Sequence, residues 1–148
     1  MHLKSRIQDD VKSAMRSRDK ERLGTLRLVT AAIKQKEVDE RVELNDSDVL
    51  SVLDKMAKQR RESLEQYETA GRDDLAAQER FELEILSAYL PEPLGEEELA
   101  RLIESAIGET QAQGMRDMGA VMAHLRDEVQ GRADMKAVST AVRGLLSS

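Results

Sequence analysis

Basic side chains at helical spacing are the residues of this sequence best suited to bind a ligand. Lys20, Arg27 and Lys34 are seven residues apart, a spacing that places them on one side of a helix. A second row consists of Lys4, Lys12 and Arg16. Rows of fixed cations bind polyanions because each neutralised phosphate releases condensed counterions. The spacing therefore makes a phosphate-binding surface one explanation for the N-terminal part of the chain.

The charge distribution supports this interpretation without establishing it. Residues 1–36 contain ten Lys and Arg against four acids, a net charge of +6. Because the whole chain carries −6, the other 112 of its 148 residues carry −12. On the residues alone three explanations stay open: a face that compensates acidic helices elsewhere, a nucleic-acid surface, or a contact with an anionic membrane. Weak apolarity beside both rows disfavours the membrane.

The stretch Gly131-Arg132-Ala133-Asp134 is a second candidate for phosphate contact. Asp134 is suited to cap the helix that follows, which would place backbone N–H groups and Arg132 at a helix start, with Lys136 in the first turn. The surrounding charge is nearly balanced, since residues 116–143 hold five Lys and Arg against four acids. An ordinary capped turn would have the same sequence.

Residues of catalytic or metal chemistry are scarce. The chain has no cysteine, and its two histidines, His2 and His124, have no partner at the spacing of a metal site. A glycine pair spaced as in a phosphate-binding loop is followed by Ala120-Val121 instead of Lys and Ser or Thr. Glutamates on helices rich in Lys and Arg are typical of a solvated, ion-paired face. We therefore predict no catalytic residue, no metal and no cofactor, with His124 at an exposed or boundary position.

Apolar residues recur every three or four positions along most of the chain, the period of amphipathic helices. A composition of 40% hydrophobic and 35% charged residues also favours helices. Both prolines stand in Pro91-Glu92-Pro93-Leu94-Gly95, a segment that cannot lie inside a helix. The sequence therefore predicts an all-α protein with a four-helix N-terminal domain at 1–90, a linker at 91–95 and a small three-helix C-terminal domain at 96–148.

Residues with short polar side chains predict where these helices begin. The predicted N-terminal caps are Asp19 for the second helix, Asp46 or Ser47 for the third, Asp73 or Asp74 for the fourth, Asp117 for the sixth and Asp134 for the seventh. Gly71 is the predicted stop of the third helix.

The beginning of the chain has no apolar run of signal-peptide type, and Asp9 and Asp10 argue against an organelle presequence. No stretch approaches the roughly 18 apolar residues of a membrane span. We therefore expect a cytoplasmic protein without a membrane contact.

Seven short motifs spread over the chain carry a resemblance to known proteins. They are Arg27-Leu28 with Ala31-Ala32-Ile33-Lys34, Lys58-Gln59-Arg60-Arg61-Glu62-Ser63, Ala70-Gly71-Arg72, Glu82-Leu83-Glu84-Ile85-Leu86, Tyr89-Leu90-Pro91, Asp117-Met118-Gly119 and Gly131-Arg132-Ala133-Asp134. In this order the sequence resembles the YqeY family over essentially its whole length. These are free-standing bacterial proteins related to the tail of the B subunit of the tRNA-dependent amidotransferase.

The resemblance implies an N-terminal helical domain joined to a small C-terminal helical domain, and a link to the amidotransferase. In that enzyme, ammonia from glutamine amidates glutamate or aspartate mischarged on tRNA. The tail binds tRNA, while ATP-dependent activation takes place in a catalytic part that this chain lacks. A carbon–nitrogen ligase activity with glutamine as amido-N-donor would therefore describe the complex. The implied partners are tRNA and an amidotransferase or an aminoacyl-tRNA synthetase.

Two departures from the family pattern bear on RNA binding. A Met-Pro-Lys-type run before the Gly-Arg-Ala-Asp turn is here Arg126-Asp127-Glu128-Val129-Gln130, and a glycine after the turn is here Met135. The two acids repel phosphate. We therefore expect a non-catalytic accessory module that binds tRNA or another RNA, to which the row Lys20, Arg27 and Lys34 contributes at least as much as Arg132 and Lys136. The alternative is a protein–protein adaptor without RNA binding.

Overall fold

The computed structural model describes residues 2–147. The first and last residues of the predicted domains, Met1 and Ser148, lie outside the described residues. Between them the chain forms helices and no strand, and a short 3-10 turn at Met115–Asp117 precedes the sixth helix. The helices are α1 (Leu3–Ser17), α2 (Lys20–Glu40), α3 (Asp46–Thr69), α4 (Asp73–Ser87), α5 (Glu96–Thr110), α6 (Met118–Val129) and α7 (Met135–Leu146).

The helices group into two compact units, Met1–Leu90 with α1–α4 and Pro91–Ser148 with α5–α7. The predicted all-α class, with four helices followed by three, is confirmed. The predicted linker segment belongs to the second unit, because the backbone N–H of Leu94 donates to the Arg132 carbonyl at 2.8 Å. The limits 1–90 and 96–148, as limits of independently folding domains, stay a prediction.

The core of the first unit collects the apolar stripes of all four helices. Only two residues join α1 to α2, so these helices pack side by side in opposite directions. Ile7 of α1, Leu26 and Val29 of α2, and Val49 and Leu53 of α3 are all fully buried. Burying a side chain of this size stabilises the fold by about 1.5–3 kcal/mol. From α4 the buried side chains are Ala76, Ile85 and Leu86.

The beginnings of α3 and α4 differ from the predicted caps by one or two residues. The cap of α3 is Asn45, not Asp46 or Ser47, because its side chain accepts from the Asp48 N–H at 2.9 Å. The Asp48 carboxylate accepts in return from the Asn45 N–H at 3.2 Å, and this reciprocal pair satisfies two N–H groups at once. The residue before α4 is Arg72, whose side chain caps nothing. The predicted stop of α3 is confirmed, since Gly71 has a φ of +72°.

A buried tyrosine at the end of the first unit is hydrogen-bonded to α1. Tyr89 is 5% exposed, and its hydroxyl donates to the Asp10 carboxylate. The Arg6 guanidinium lies over the ring, 5.0 Å from its centroid, a favourable cation–π arrangement. Burial and then the bond to Asp10 raise the pKa of Tyr89, so the phenol stays protonated and keeps donating. The chain is thus held in place two residues before the first proline.

The second unit has a smaller core of its own. Its buried side chains come from all three helices: Ile103 and Ala106, Val121, Leu125 and Val129, and Val138, Val142 and Leu146. Asp134 caps α7 as predicted, since its carboxylate accepts from the Lys136 N–H at 3.3 Å. Asp117 precedes α6 as predicted, but its carboxylate accepts from Gln113 N–H at 2.9 Å. Within 2–147, no helix combines the length and apolarity that crossing a bilayer requires.

We predict that residues 1–90 fold alone, because the apolar stripes of α1–α4 meet in a core that the first unit completes by itself. The fragment should unfold in a cooperative helical thermal transition measured by circular dichroism. A matched fragment of residues 1–86 lacks the tyrosine and its bond to Asp10, so its midpoint should be lower. A 1–90 fragment without helical circular dichroism would contradict the prediction.

Candidate anion-binding site

An open groove of about 670 Å³ lies between α1 and α2. Its charged lining consists of Lys4, Lys12, Arg27, Lys34 and Glu37. Its apolar lining includes Val11, Ala31 and Ile33, and Gln8 and Thr30 complete it. Because α1 and α2 pack side by side, cations from two separate rows of the sequence line one groove. Four cations and one acid give the lining a net charge of +3.

The structure brings together some of the predicted cations and leaves others outside. Arg27 and Lys34 line the groove with Lys12, and all three side chains are exposed. Lys20, the first residue of α2, is exposed but does not line the groove. Arg16 of the second row is also outside it. The candidate site is therefore centred on the middle of the hairpin formed by α1 and α2, not on its turn.

Lys4 is neutralised within the fold by Glu37, a residue that the sequence reasoning did not single out. The Lys4 Nζ lies 2.8 Å from the Glu37 Oε2, which also accepts from the backbone N–H of Leu44 at 2.9 Å. The bond to Lys4, followed by that to Leu44, lowers the pKa of Glu37. This carboxylate holds the loop after α2 in place, and Leu44 is buried there. No local sequence signal reveals the pair, because its partners are 33 residues apart.

The other three cations of the groove have no such neutralisation. Lys12, Arg27 and Lys34 form no ion pair with any acid among residues 2–147, whereas cations elsewhere in the unit do. On α3 and α4, Arg60 lies 3.2 Å from Glu82 and Arg80 lies 3.0 Å from Glu68. The predicted ion pairing is confirmed for these two glutamates, but the Arg60–Glu82 pair is largely shielded from solvent instead of solvated. These three cations share one groove; other exposed cations of the unit, Lys20 among them, also pair with no described acid but lie outside its lining.

Arg132, a predicted phosphate contact, is engaged by its own unit. Its Nε donates to the Glu92 carbonyl at 3.0 Å, and its Nη2 lies 3.6 Å from the Glu98 Oε1. Its carbonyl accepts from Leu94. Its side chain, bonded at Glu92, and its backbone carbonyl, bonded at Leu94, together hold residues 92–94 against the turn before α7. Lys136, the other predicted cation of this unit, is exposed, and its side chain forms no ion pair with a described acid.

The histidine of α6 lies at the surface, as predicted. The His124 side chain is 37% exposed, and its Nε2 lies 2.7 Å from the Glu109 Oε2. Across residues 2–147, no three His, Cys, Asp or Glu side chains are grouped so that they could hold a metal ion.

Comparison with known proteins gives one family. Residues 4–146 match the model described as Yqey-like protein. Altered inheritance of mitochondria protein 41, mitochondrial, from Pyrenophora tritici-repentis is 33% identical over 146 residues, which cover 97% of this chain and 80% of that protein. The protein of the same name from Kluyveromyces lactis is 30% identical over 146 residues, covering 96% of this chain and 78% of its own length. The protein of the same name from Eremothecium gossypii is 37% identical over 99 residues, which cover 64% of this chain and 54% of that protein.

The engagement of Arg132 yields a stability prediction. Arg132→Ala should destabilise the second unit by about 1 kcal/mol, because the Glu92 carbonyl and Glu98 lose a charged partner that is partly shielded from water. Lys136→Ala is the matched control and should leave stability within about 0.5 kcal/mol of wild type. Thermal unfolding of both full-length variants measures the difference. Equal midpoints would show that Arg132 has no fastening role.

Proposed function

This chain belongs to the YqeY-like protein family, and from that premise we propose that it is a non-catalytic accessory module that binds RNA in the α1–α2 groove. The observation that supports the proposal most strongly is the set of three exposed cations, Lys12, Arg27 and Lys34, that no acid among residues 2–147 neutralises. Phosphate groups are the ligand that such a row would attract.

The expected interaction is weak and depends on salt. Each phosphate that a cation neutralises contributes about 0.7 to 0.9 to the slope of log affinity against log salt. Three available cations therefore correspond to a slope of about −2 to −3. The apolar lining beside them adds no base-specific contact, so the proposed recognition rests on the phosphate backbone.

The RNA that we propose is tRNA, because the family resemblance links the chain to the tail of the tRNA-dependent amidotransferase. An amidotransferase or an aminoacyl-tRNA synthetase is the proposed protein partner. Any carbon–nitrogen ligase activity with glutamine as amido-N-donor would then belong to the assembly. The proposed location is the cytoplasm; the fungal relatives are called mitochondrial, a description that applies to those proteins.

A protein–protein adaptor is the second candidate function. The observation that favours it is a pair of large apolar side chains on α2, Leu28 and Val38, which are 46% and 63% exposed.

We predict that Lys12→Ala/Arg27→Ala/Lys34→Ala weakens tRNA binding at least tenfold at low salt. Removing three cations should also make the salt slope shallower by about 2 to 3. Fluorescence anisotropy with labelled tRNA at several salt concentrations measures both quantities. Lys20→Ala should have a smaller effect, because Lys20 lies outside the lining of the groove.

A control variant with the same change in net charge separates the groove from general electrostatics. It replaces three exposed cations of α3 with alanine: Lys55, Lys58 and Arg61. This control should bind nearly as well as wild type. An equal loss in both variants, or a loss caused by Lys136→Ala but not by the groove variant, would place binding elsewhere. Absence of binding at low salt would overturn the proposed function.

A further inference from the structure

Helix α2 has a second apolar side that faces away from the core. Gly24, Leu28, Ala31, Gln35 and Val38 follow one another at alternating spacings of four and three residues, so they form one strip along the helix. All five are exposed. The core-facing side chains of the same helix, Leu26, Val29 and Ile33, are at most 2% exposed. One apolar side of α2 is covered by its own unit, and the outer strip is not.

The residues of the outer strip have the spacing at which one helix packs along another. Alternating spacings of four and three are those of the positions that meet in a coiled coil. The small residues Gly24 and Ala31 stand on either side of Leu28, which leaves recesses for the side chains of another helix, and polar Gln35 separates Ala31 from Val38. Among the described residues, no atom of a neighbour lies within 4 Å of the place that a Cβ at Gly24 would take. Since glycine inside a helix is less stable than alanine, the packing of this chain gives no reason for a glycine there.

A row of cations runs along one margin of the strip. Lys20, Arg27 and Lys34 are seven residues apart, the spacing of the positions that flank a coiled-coil seam. None of the three pairs with an acid among the described residues. A helix that covers the strip would meet this margin, and acidic side chains on it would give complementary charge.

We propose that the outer strip of α2 docks an amphipathic helix of a partner protein that carries acidic side chains along the edge facing Lys20, Arg27 and Lys34. From Gly24 to Val38 the strip is about 21 Å long, which matches a partner helix of about 15 residues. The proposal rests on the adaptor function, whose partner it specifies, and it does not depend on RNA binding. Its tests therefore change Gly24, Leu28 and Val38, which do not line the groove, and leave the shared cations intact.

The probe is a synthetic helical peptide with leucine at its seam positions and glutamate at its flanking positions. A second peptide has lysine in place of glutamate. Titrated against the full chain by fluorescence anisotropy, the glutamate peptide binds and the lysine peptide does not. The variant Leu28→Gln/Val38→Gln binds the glutamate peptide at least tenfold more weakly. Met115→Gln, at an exposed methionine of the second unit, binds it like wild type.

Gly24→Ala is a second variant, which should raise the stability of the chain but weaken peptide binding. Alanine stabilises the helix, so the thermal midpoint rises by a few degrees. The added methyl group fills a recess of the strip, so peptide binding weakens. A residue with a role only in the fold would not show this combination. Circular dichroism confirms that each variant keeps its helix content.

Several results would overturn the proposal. Absence of peptide binding to wild type, or equal binding to wild type and the strip variant, excludes docking on the strip. If an RNA hairpin loses affinity for the strip variant while the peptide does not, the strip belongs to the RNA surface. If sedimentation shows a wild-type dimer that the strip variant dissociates, the occupant is a second copy of the chain.

Discussion

The packing of α1 against α2 determines where the candidate cations of the first unit lie. Ile7 of α1 is buried together with Leu26 and Val29 of α2, and these contacts hold the two helices side by side in opposite directions. Lys12 of one helix thereby lies at the same groove as Arg27 of the other. Because α2 is also buried against α3 and α4, only one of its sides stays outside. The groove and the outer strip both follow from this single arrangement.

The cations of the chain serve two different purposes, which charge counting cannot separate. Lys4, Arg60 and Arg132 each hold a carboxylate of their own unit, and Arg132 a carbonyl as well. Lys12 and Arg27 hold none among the described residues. A buried or half-buried pair fixes a loop or a helix contact, whereas an exposed cation without an acid is available to a ligand. RNA binding and helix docking, as proposed, both use exposed cations that pair with no described acid.

The helices and their grouping were predictable because apolar periodicity and two prolines are local signals. The cap of α3 was not predictable, because Asn45, Asp46 and Ser47 all have side chains that can cap a helix. Asn45 is the cap because it and Asp48 exchange hydrogen bonds between side chain and backbone. The groove was missed for another reason. Each row of cations is visible in the sequence. The two rows share a groove only because α1 packs against α2, and no local signal predicts that contact. The role of Arg132 is likewise set by a residue 40 positions away.

We propose that RNA binds on the α1–α2 hairpin and not on the turn before α7. The direct measurement is a two-dimensional amide NMR spectrum of the full chain, titrated with a short RNA hairpin at low salt. We expect progressive shifts within α1 and α2, largest near Lys12, Arg27 and Lys34. Shifts confined to Gly131–Lys136, with α1 and α2 unchanged, would contradict it.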